Sequence, residues 1–222
     1  MTSTRSATLF AFALLAPALI YITVIVAYPL VDTIILSFTN AALRPTYDFV
    51  GWANYQRIFT AGNFTEVIIR TLIWTFFSVS IKMIIGMFGA VLLNAAVPGQ
   101  TVFRILTMPP WIVPMAIGIY MWAWMYNGQF GMISGLLQNF GLTNGPVAFL
   151  AYGNTAFWAT IITDVWIGVP MVTIYFLASM QSIPKDLHEA AWTDGAGRFY
   201  RWRRITLPLM LPAIITMSLL SL

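Results

Sequence analysis

The sequence predicts an all-α protein: a polytopic transmembrane helical bundle with five spans visible, the fifth cut short, and one short polar hairpin. Three observations predict it. Apolar residues make up 59% of the chain and charged residues 8%, against about 25% charged in soluble domains. The apolar residues gather in stretches of about 20, the length that crosses roughly 30 Å of hydrocarbon as a helix. Lysines and arginines are divided unevenly between the connecting loops, the asymmetry that orients a membrane protein. The chain reads as a single membrane domain over residues 1–222.

The first span is Leu9 to Tyr28, free of charge for 20 residues; it is too long and too poorly ended for a cleaved signal peptide. The second, Leu72 to Leu93, contains Lys82, the third is Ile105 to Tyr126, and the fourth, Ala156 to Ala178, contains Asp164. A fifth starts at Leu209 and has 14 residues to Leu222. Those reach about 21 Å, short of the hydrocarbon thickness, which predicts a span that continues beyond the sequence given. Prolines punctuate these stretches: Pro17 and Pro29 in or near the first, Pro109, Pro110 and Pro114 at the start of the third, Pro170 in the fourth. Each removes an intrahelical hydrogen bond, so kinks or breaks are expected there. In membranes such breaks persist where neighbours or a water-lined cavity satisfy the freed carbonyls. The third span is therefore the first candidate for lining a route, the alternative being that its prolines only shape packing.

Orientation follows from the basic residues. With the N-terminus inside, Arg5, Arg104, Lys185, Arg198, Arg201, Arg203 and Arg204 fall on the cytoplasmic side and Arg44, Arg57 and Arg70 outside, which favours that topology. Residues 37–66 and 127–155 then face outward, and 181–208 form a cytoplasmic loop. The net charge of +4 is small and concentrated in that loop, which speaks for membrane orientation and against a nucleic-acid partner. The absence of cysteine removes disulfides, thiolate metal sites and cysteine nucleophiles. His188 precedes Glu189, but Trp192 stands where the His-Glu-x-x-His metal pattern needs its second histidine. No Gly-x-x-x-x-Gly-Lys-Ser/Thr loop is present to cradle ATP, and the seven carboxylates are scattered. No catalytic residue, metal ligand or bound cofactor is therefore expected.

The cytoplasmic loop has a defined local design. Pro184 suits a first helical turn, Asp186 places negative charge near the helix N-terminus, and Leu187, Ala190 and Ala191 make an i, i+3, i+4 face. A short helix from about Pro184 to Trp192 follows. Gly195 can take the positive φ of a sharp turn, and Arg198, Arg201, Arg203 and Arg204 ride a second short helix that Pro208 ends or redirects. On shape alone this is either a docking knob or a positively charged loop. Spacing decides: Glu189-Ala190-Ala191, then Asp194-Gly195-Ala196, then Ile205-Thr206-Leu207-Pro208, led in by Ser182-Ile183-Pro184 and out by Leu209. The pattern resembles the membrane-spanning permease subunits of binding-protein-dependent ABC importers, in particular their sugar-type branch. Val50 to Tyr55, Pro110 to Pro114 and Gly128 to Leu137 also look like family segments, so the resemblance runs over nearly the whole chain, with the hairpin as its specific part.

The resemblance implies that Glu189, Ala190, Ala191, Asp194, Gly195, Ala196, Ile205, Leu207 and Pro208 couple this chain to an ATPase subunit dimer, which uses ATP and Mg on its own chains. It implies a second permease subunit completing the pore, an extracytoplasmic solute-binding protein, and a place in the bacterial inner membrane. Family members usually continue through one further span.

Within the spans, Lys82 and Asp164 lie at comparable depths, roughly 12 to 20 Å from the outer helix ends. They either flank a polar translocation path or form a structural ion pair between helices. Gly86, Gly89 and Ala90 offer a small face for close helix packing. Tyr120, Trp122, Trp124 and Tyr126, with Asn127 just beyond, either stack sugar faces or form an interfacial aromatic belt. Tyr120 and Trp124 share one face, Trp122 and Tyr126 another, so one pair at most points into a path. Lys82, Tyr120, Trp124, Asn127 and Asp164 are the path candidates. Two other functions fit the residues: an ion-coupled secondary transporter using Lys82 and Asp164, and a membrane-embedded enzyme.

Overall fold

The structure is a computed structural model that describes residues 2–40, 48–95 and 99–222, with side chains from Ala7 onward. Arg44 and the side chain of Arg5, both used for orientation, lie outside the described residues. Among the described residues the secondary structure is helical, apart from a single antiparallel bridge between Thr39 and Phe49. The chain divides into two compact units, Met1–Ile69 and Arg70–Leu222.

In the first unit, α1 (Thr2–Ile22), a π-helical turn (Thr23–Ala27) and α2 (Tyr28–Ser37) follow one another without a gap. The first span is apolar over Ala7–Ser37, extending past the expected end at Tyr28. The reason is the π turn. Ahead of Pro29 the Tyr28 N–H reaches back five residues to the Thr23 carbonyl, and the wider turn makes room for the proline ring inside a continuing helix. The C-terminal end of α2 is clasped by residues 50–55. The Asn54 amide donates to the carbonyls of Ser37 (2.9 Å) and Thr39 (2.7 Å), satisfying acceptors that a helix end leaves free. The Ser37 and Tyr55 hydroxyls are 2.7 Å apart, and the Phe38 ring packs on Trp52 and Tyr55 at 5.2 and 5.4 Å. Gly51, at φ 55°, turns the chain into α3 (Ala53–Thr60).

The second unit is organised around residues 70–94 of α4 (Phe64–Asn94) and α9 (Gly153–Gln181). Ser78, Lys82, Gly86 and Ala90 recur every four residues on α4 and are all buried, which makes one helix stripe. Helices in lipid associate through close van der Waals packing, since lipid tails are as apolar as the side chains. The glycines permit that approach: a Cβ on Gly86 would lie 2.8 Å from the Val172 Cβ, and one on Gly89 2.9 Å from the Thr173 Cγ2. Ala90, Leu93, Val172, Phe176, Leu177, Met180, Met210 and Met217 form the core, where α4 and α9 meet α13 (Leu211–Leu220).

The third span is broken. α5 (Gln100–Thr107) and α6 (Pro109–Ile112) are bent by 93° from α7 (Met115–Met125). Val113, ahead of Pro114, is extended at φ −65° and ψ 130°, because a following proline disfavours the helical conformation. The break expected from the prolines of span 105–126 thus falls at Val113–Pro114 and leaves one uninterrupted stretch of 11 residues, Met115–Met125. Pro170 behaves differently: α9 runs through it without a break, the ring buried and the next turn held by buried Val172, Thr173 and Phe176. Pro17 is likewise inside an unbroken helix. After α8 (Met132–Asn139) and α9 come α10 (Lys185–Thr193) and α11 (Arg198–Arg201), then a second π turn (Trp202–Thr206) and α12 (Leu207–Leu209). Pro208 does not redirect this helix as expected; it sits in the first turn of α12, and the 57° bend falls at Met210 instead, ahead of Pro212.

Candidate functional site

Deep in the second unit, α4 and α9 bring Lys82 and Asp164 together, with Nζ 2.6 Å from Oδ2. The Ser78 hydroxyl, one turn earlier on α4, donates to the same carboxylate oxygen. The lysine stem lies over Gly168, where a Cβ would come within 2.9 Å of its Cδ, and Nζ is 5.9 Å from the Trp74 ring centroid, within reach of a cation–π attraction. The two side chains are unequally enclosed, 8% exposed for Lys82 and 33% for Asp164. The lysine is sealed between helices while the carboxylate keeps one open side, and a charge pair in a span persists only when both members are partnered in this way.

The open side of Asp164 faces a cavity of about 300 Å³ between α7 and α9. Trp122, Tyr126, Thr160 and Thr163 also line it. The Tyr126 hydroxyl donates to the Ala159 carbonyl at 3.1 Å, and its ring lies 5.3 Å from that of Trp122. The Trp122 indole N–H is buried with no hydrogen-bond partner. A mostly apolar hollow with a carboxylate, three hydroxyls and two aromatic rings can hold a ligand that offers both ring faces and hydroxyl groups. Tyr120 and Trp124 turn the other way, 70% and 71% exposed. Asn127 stands in the turn after α7, its side-chain oxygen accepting the N–H groups of Gln129 and Phe130 at 2.8 and 3.2 Å. The path candidates therefore separate into Lys82 with Asp164, the outward pair Tyr120 and Trp124, and the turn residue Asn127. Ser78 and Thr163 were missed by sequence reasoning, and of the two aromatic pairs it weighed, Trp122 with Tyr126 is the one at the cavity. Spacing could have found Ser78, four residues before Lys82, but nothing local marks Thr163.

At the opposite end of α9, α10 spans Lys185–Thr193 with Pro184 as its N-cap and Asp186 in its first turn. It closes in a Schellman motif: the Ala196 N–H bonds the Ala191 carbonyl and the Gly195 N–H that of Trp192, each at 2.9 Å. Gly195 has φ 79°, the left-handed conformation this closure needs. Glu189, Ala190, Asp194 and Gly195 are exposed, Ala191 and Ala196 half-buried. Leu187 and Trp192 are exposed too, at 44% and 70%. Arg201 ties the second arm to the first by donating to the His188 carbonyl at 3.4 Å. Ile205 and Leu207 are half-buried at the root of the hairpin, on either side of buried Thr206, and Pro208 is exposed. The result is a rigid knob with a low alanine surface.

No family model matches the chain. It is, however, 36% identical over 210 residues to the trehalose/maltose transport system permease protein of Thermococcus litoralis, which covers 94% of this chain and 70% of that one. The chain belongs to the sugar-type permeases of ABC importers. The permease is also 31% identical over 209 residues to the sulfoquinovosyl glycerol transport system permease protein of Agrobacterium fabrum, covering 93% of the one and 67% of the other. Its fold matches that of a bacterial ABC transporter that imports the acidic polysaccharide alginate, with TM-score 0.78 and 22% identity over 99% of this chain and 74% of that chain. Membership makes the permease an integral membrane transport subunit, not an enzyme in its own right.

Proposed function

We propose that this permease moves a sugar or sugar-like solute into the cytoplasm by alternating access, driven by ATP hydrolysis on a separate ATPase dimer that uses ATP and Mg. The observation that carries the reading is the knob Lys185–Gly195, an exposed helix closed by a Schellman turn and bearing Glu189, Ala190 and Ala191 on its surface. A short helix tied at both arms moves as a unit, so a motor subunit gripping it can displace the spans behind it. Glu189, Ala190, Ala191, Asp194, Gly195 and Ala196 form the grip, and Ile205, Leu207 and Pro208 its root. A second permease subunit completes the pore, an extracytoplasmic binding protein delivers the solute, and the N-terminus lies in the cytoplasm of a bacterial inner membrane.

Solute chemistry is supported from two sides. The curated relatives whose names give a solute are named for trehalose and maltose, sulfoquinovosyl glycerol, galactooligosaccharides and maltodextrin, all of them glycosides. The cavity at Asp164 offers Trp122 and Tyr126 rings beside Thr160 and Thr163 hydroxyls, a wall suited to a sugar ring. Lys82 and Asp164 hold the polar side of the path in this chain. Tyr120 and Trp124, on the opposite face of α7, and Asn127, in the turn after it, lie outside this cavity. Native mass spectrometry of the gently solubilised assembly tests the proposal: an ATPase pair and a second permease should fly with this chain, and uptake in vesicles should stop with vanadate and survive a protonophore. Uptake that survives vanadate and stops with the protonophore refutes it.

A further inference from the structure

Behind the knob, where the last turn of α4 meets α10 and α11, lies a second cavity of about 500 Å³. Asn94, His188, Arg198, Arg201, Trp202 and Thr206 line it. Arg201 is half-buried, and beyond its long bond to His188 its Nε–H is buried without a partner. A guanidinium presents five donors in a planar fork, and the bond to His188 engages one of the Arg201 Nη groups. Among the described residues no carboxylate pairs with Arg198, Arg201, Arg203 or Arg204. Phe199, whose ring stacks on that of the lining residue Trp202, and Tyr200 are 71% and 58% exposed, and the segment leads through the second π turn and α12 into the apolar helix α13. Exposed aromatics and arginines at the head of a span are the signature of the lipid headgroup layer.

We propose that this cavity binds the phosphate of an anionic phospholipid, held between the Arg198 and Arg201 guanidinium groups, with Asn94 and Thr206 as further polar neighbours. The ligand neutralises the Arg198 and Arg201 guanidinium charges, which no carboxylate pairs among the described residues, and braces the knob against the end of α4. Two forked arginines match a phosphate's oxygens as no lysine would. The aromatic rim and the adjoining span favour a phosphate carried by a lipid over one free in solution. Assignment to the cytoplasmic leaflet rests on the topology proposed above; occupancy of the cavity does not.

The test uses the full chain with the subunits that co-purify, in nanodiscs of phosphatidylcholine containing a minority of phosphatidylglycerol, read by native mass spectrometry. Phosphatidylglycerol should be retained, and Arg198→Gln should weaken that retention about tenfold. Arg203→Gln, an exposed position outside the cavity, should leave it intact. Arg201→Gln should weaken it further, but Arg201 also ties the hairpin, so the exposed Arg198 carries the test, with a monodisperse elution profile as the check on folding. Excess inorganic phosphate should not displace the lipid. Equal losses in Arg198→Gln and Arg203→Gln would mean diffuse charge attraction and overturn the site, and displacement by inorganic phosphate would overturn the lipid as its ligand. Labelling of an Asp194→Cys variant from each side of the membrane reports the topology separately, so a wrong leaflet and an empty cavity give different results.

Discussion

Replacing either member of the Lys82–Asp164 pair should destabilise the permease, and unequally. In Asp164→Asn the shape and the contact with Ser78 survive while the charge opposite Lys82 is lost. Lys82 is 8% exposed with its stem laid over Gly168, so its ammonium cannot reach water without leaving the helix seam. Stranding a buried charge costs about 3–5 kcal/mol. In Lys82→Met the stranded group is Asp164, which keeps the Ser78 hydroxyl and a side 33% exposed on the cavity; water can take part of the load, and the loss should be about 1–3 kcal/mol. The double variant Lys82→Met/Asp164→Leu leaves no stranded charge and should return to within about 1–2 kcal/mol of the parent. Denaturant titration in micelles, followed by tryptophan fluorescence, measures all three. Equal losses in the two single variants, or a double variant as unstable as their sum, would refute the unequal burial on which the ordering rests. Uptake supplies the functional half: if Asp164 lines the path, the double variant regains stability without regaining transport.

Gly86→Val places a side chain into Val172, 2.8 Å from Cβ to Cβ, and should cost about 1–3 kcal/mol by prising α4 from α9; Gly135→Ala, with nothing within 4 Å of its Cβ, serves as the neutral control in the same thermal melts. Gly195→Val forces a β-branched residue to φ 79°, a strain of about 1–2 kcal/mol in the turn, and should cut ATP-driven uptake while membrane insertion is unchanged; Gly195→Asn should keep most of it, and full activity in the valine variant would count against the knob as the point of coupling. Tyr126→Phe removes the donor to the Ala159 carbonyl and should cost about 1 kcal/mol in the same titration.

The hairpin was legible because its determinants are local. Pro184, Asp186 and Gly195 each act within a turn of their own position, and the expected helix Pro184–Trp192 differs from the observed Lys185–Thr193 by one residue at each end. Three of the five apolar stretches coincide with helices long and apolar enough to cross a membrane, but how each proline would act was not legible. Val113-Pro114 breaks a helix, Pro170 does not, and Pro29 is absorbed by a π turn. All three present the same local chemistry, and the outcome is set by what packs alongside. The same limit explains the site. Lys82 and Asp164 announce themselves as charges in apolar stretches, whereas Ser78 and Thr163 acquire meaning only when α4 and α9 align.

The two π turns share one arrangement: Tyr28 and Leu207 each reach back five residues, to Thr23 and Trp202, immediately ahead of Pro29 and Pro208. At the second, the consequence is mechanical. Without the wider turn Pro208 would interrupt the helix and leave the arginine arm hinged; with it, Arg198 to Leu209 is one continuous piece ending at Met210. Met210 is 1% exposed and packs with Ala90, Leu93 and Phe176 of the α4–α9 core. A close-packed core shifts between discrete arrangements more readily than it deforms, so on the proposed function Met210 is where motion imposed on the knob would enter the α4–α9 seam. That seam, some turns further along, also holds the Lys82–Asp164 pair. On the proposed function, α9, one of the two helices that receive the motor's motion, is thus also the helix that shapes one wall of the solute cavity, and no separate relay between the two is required.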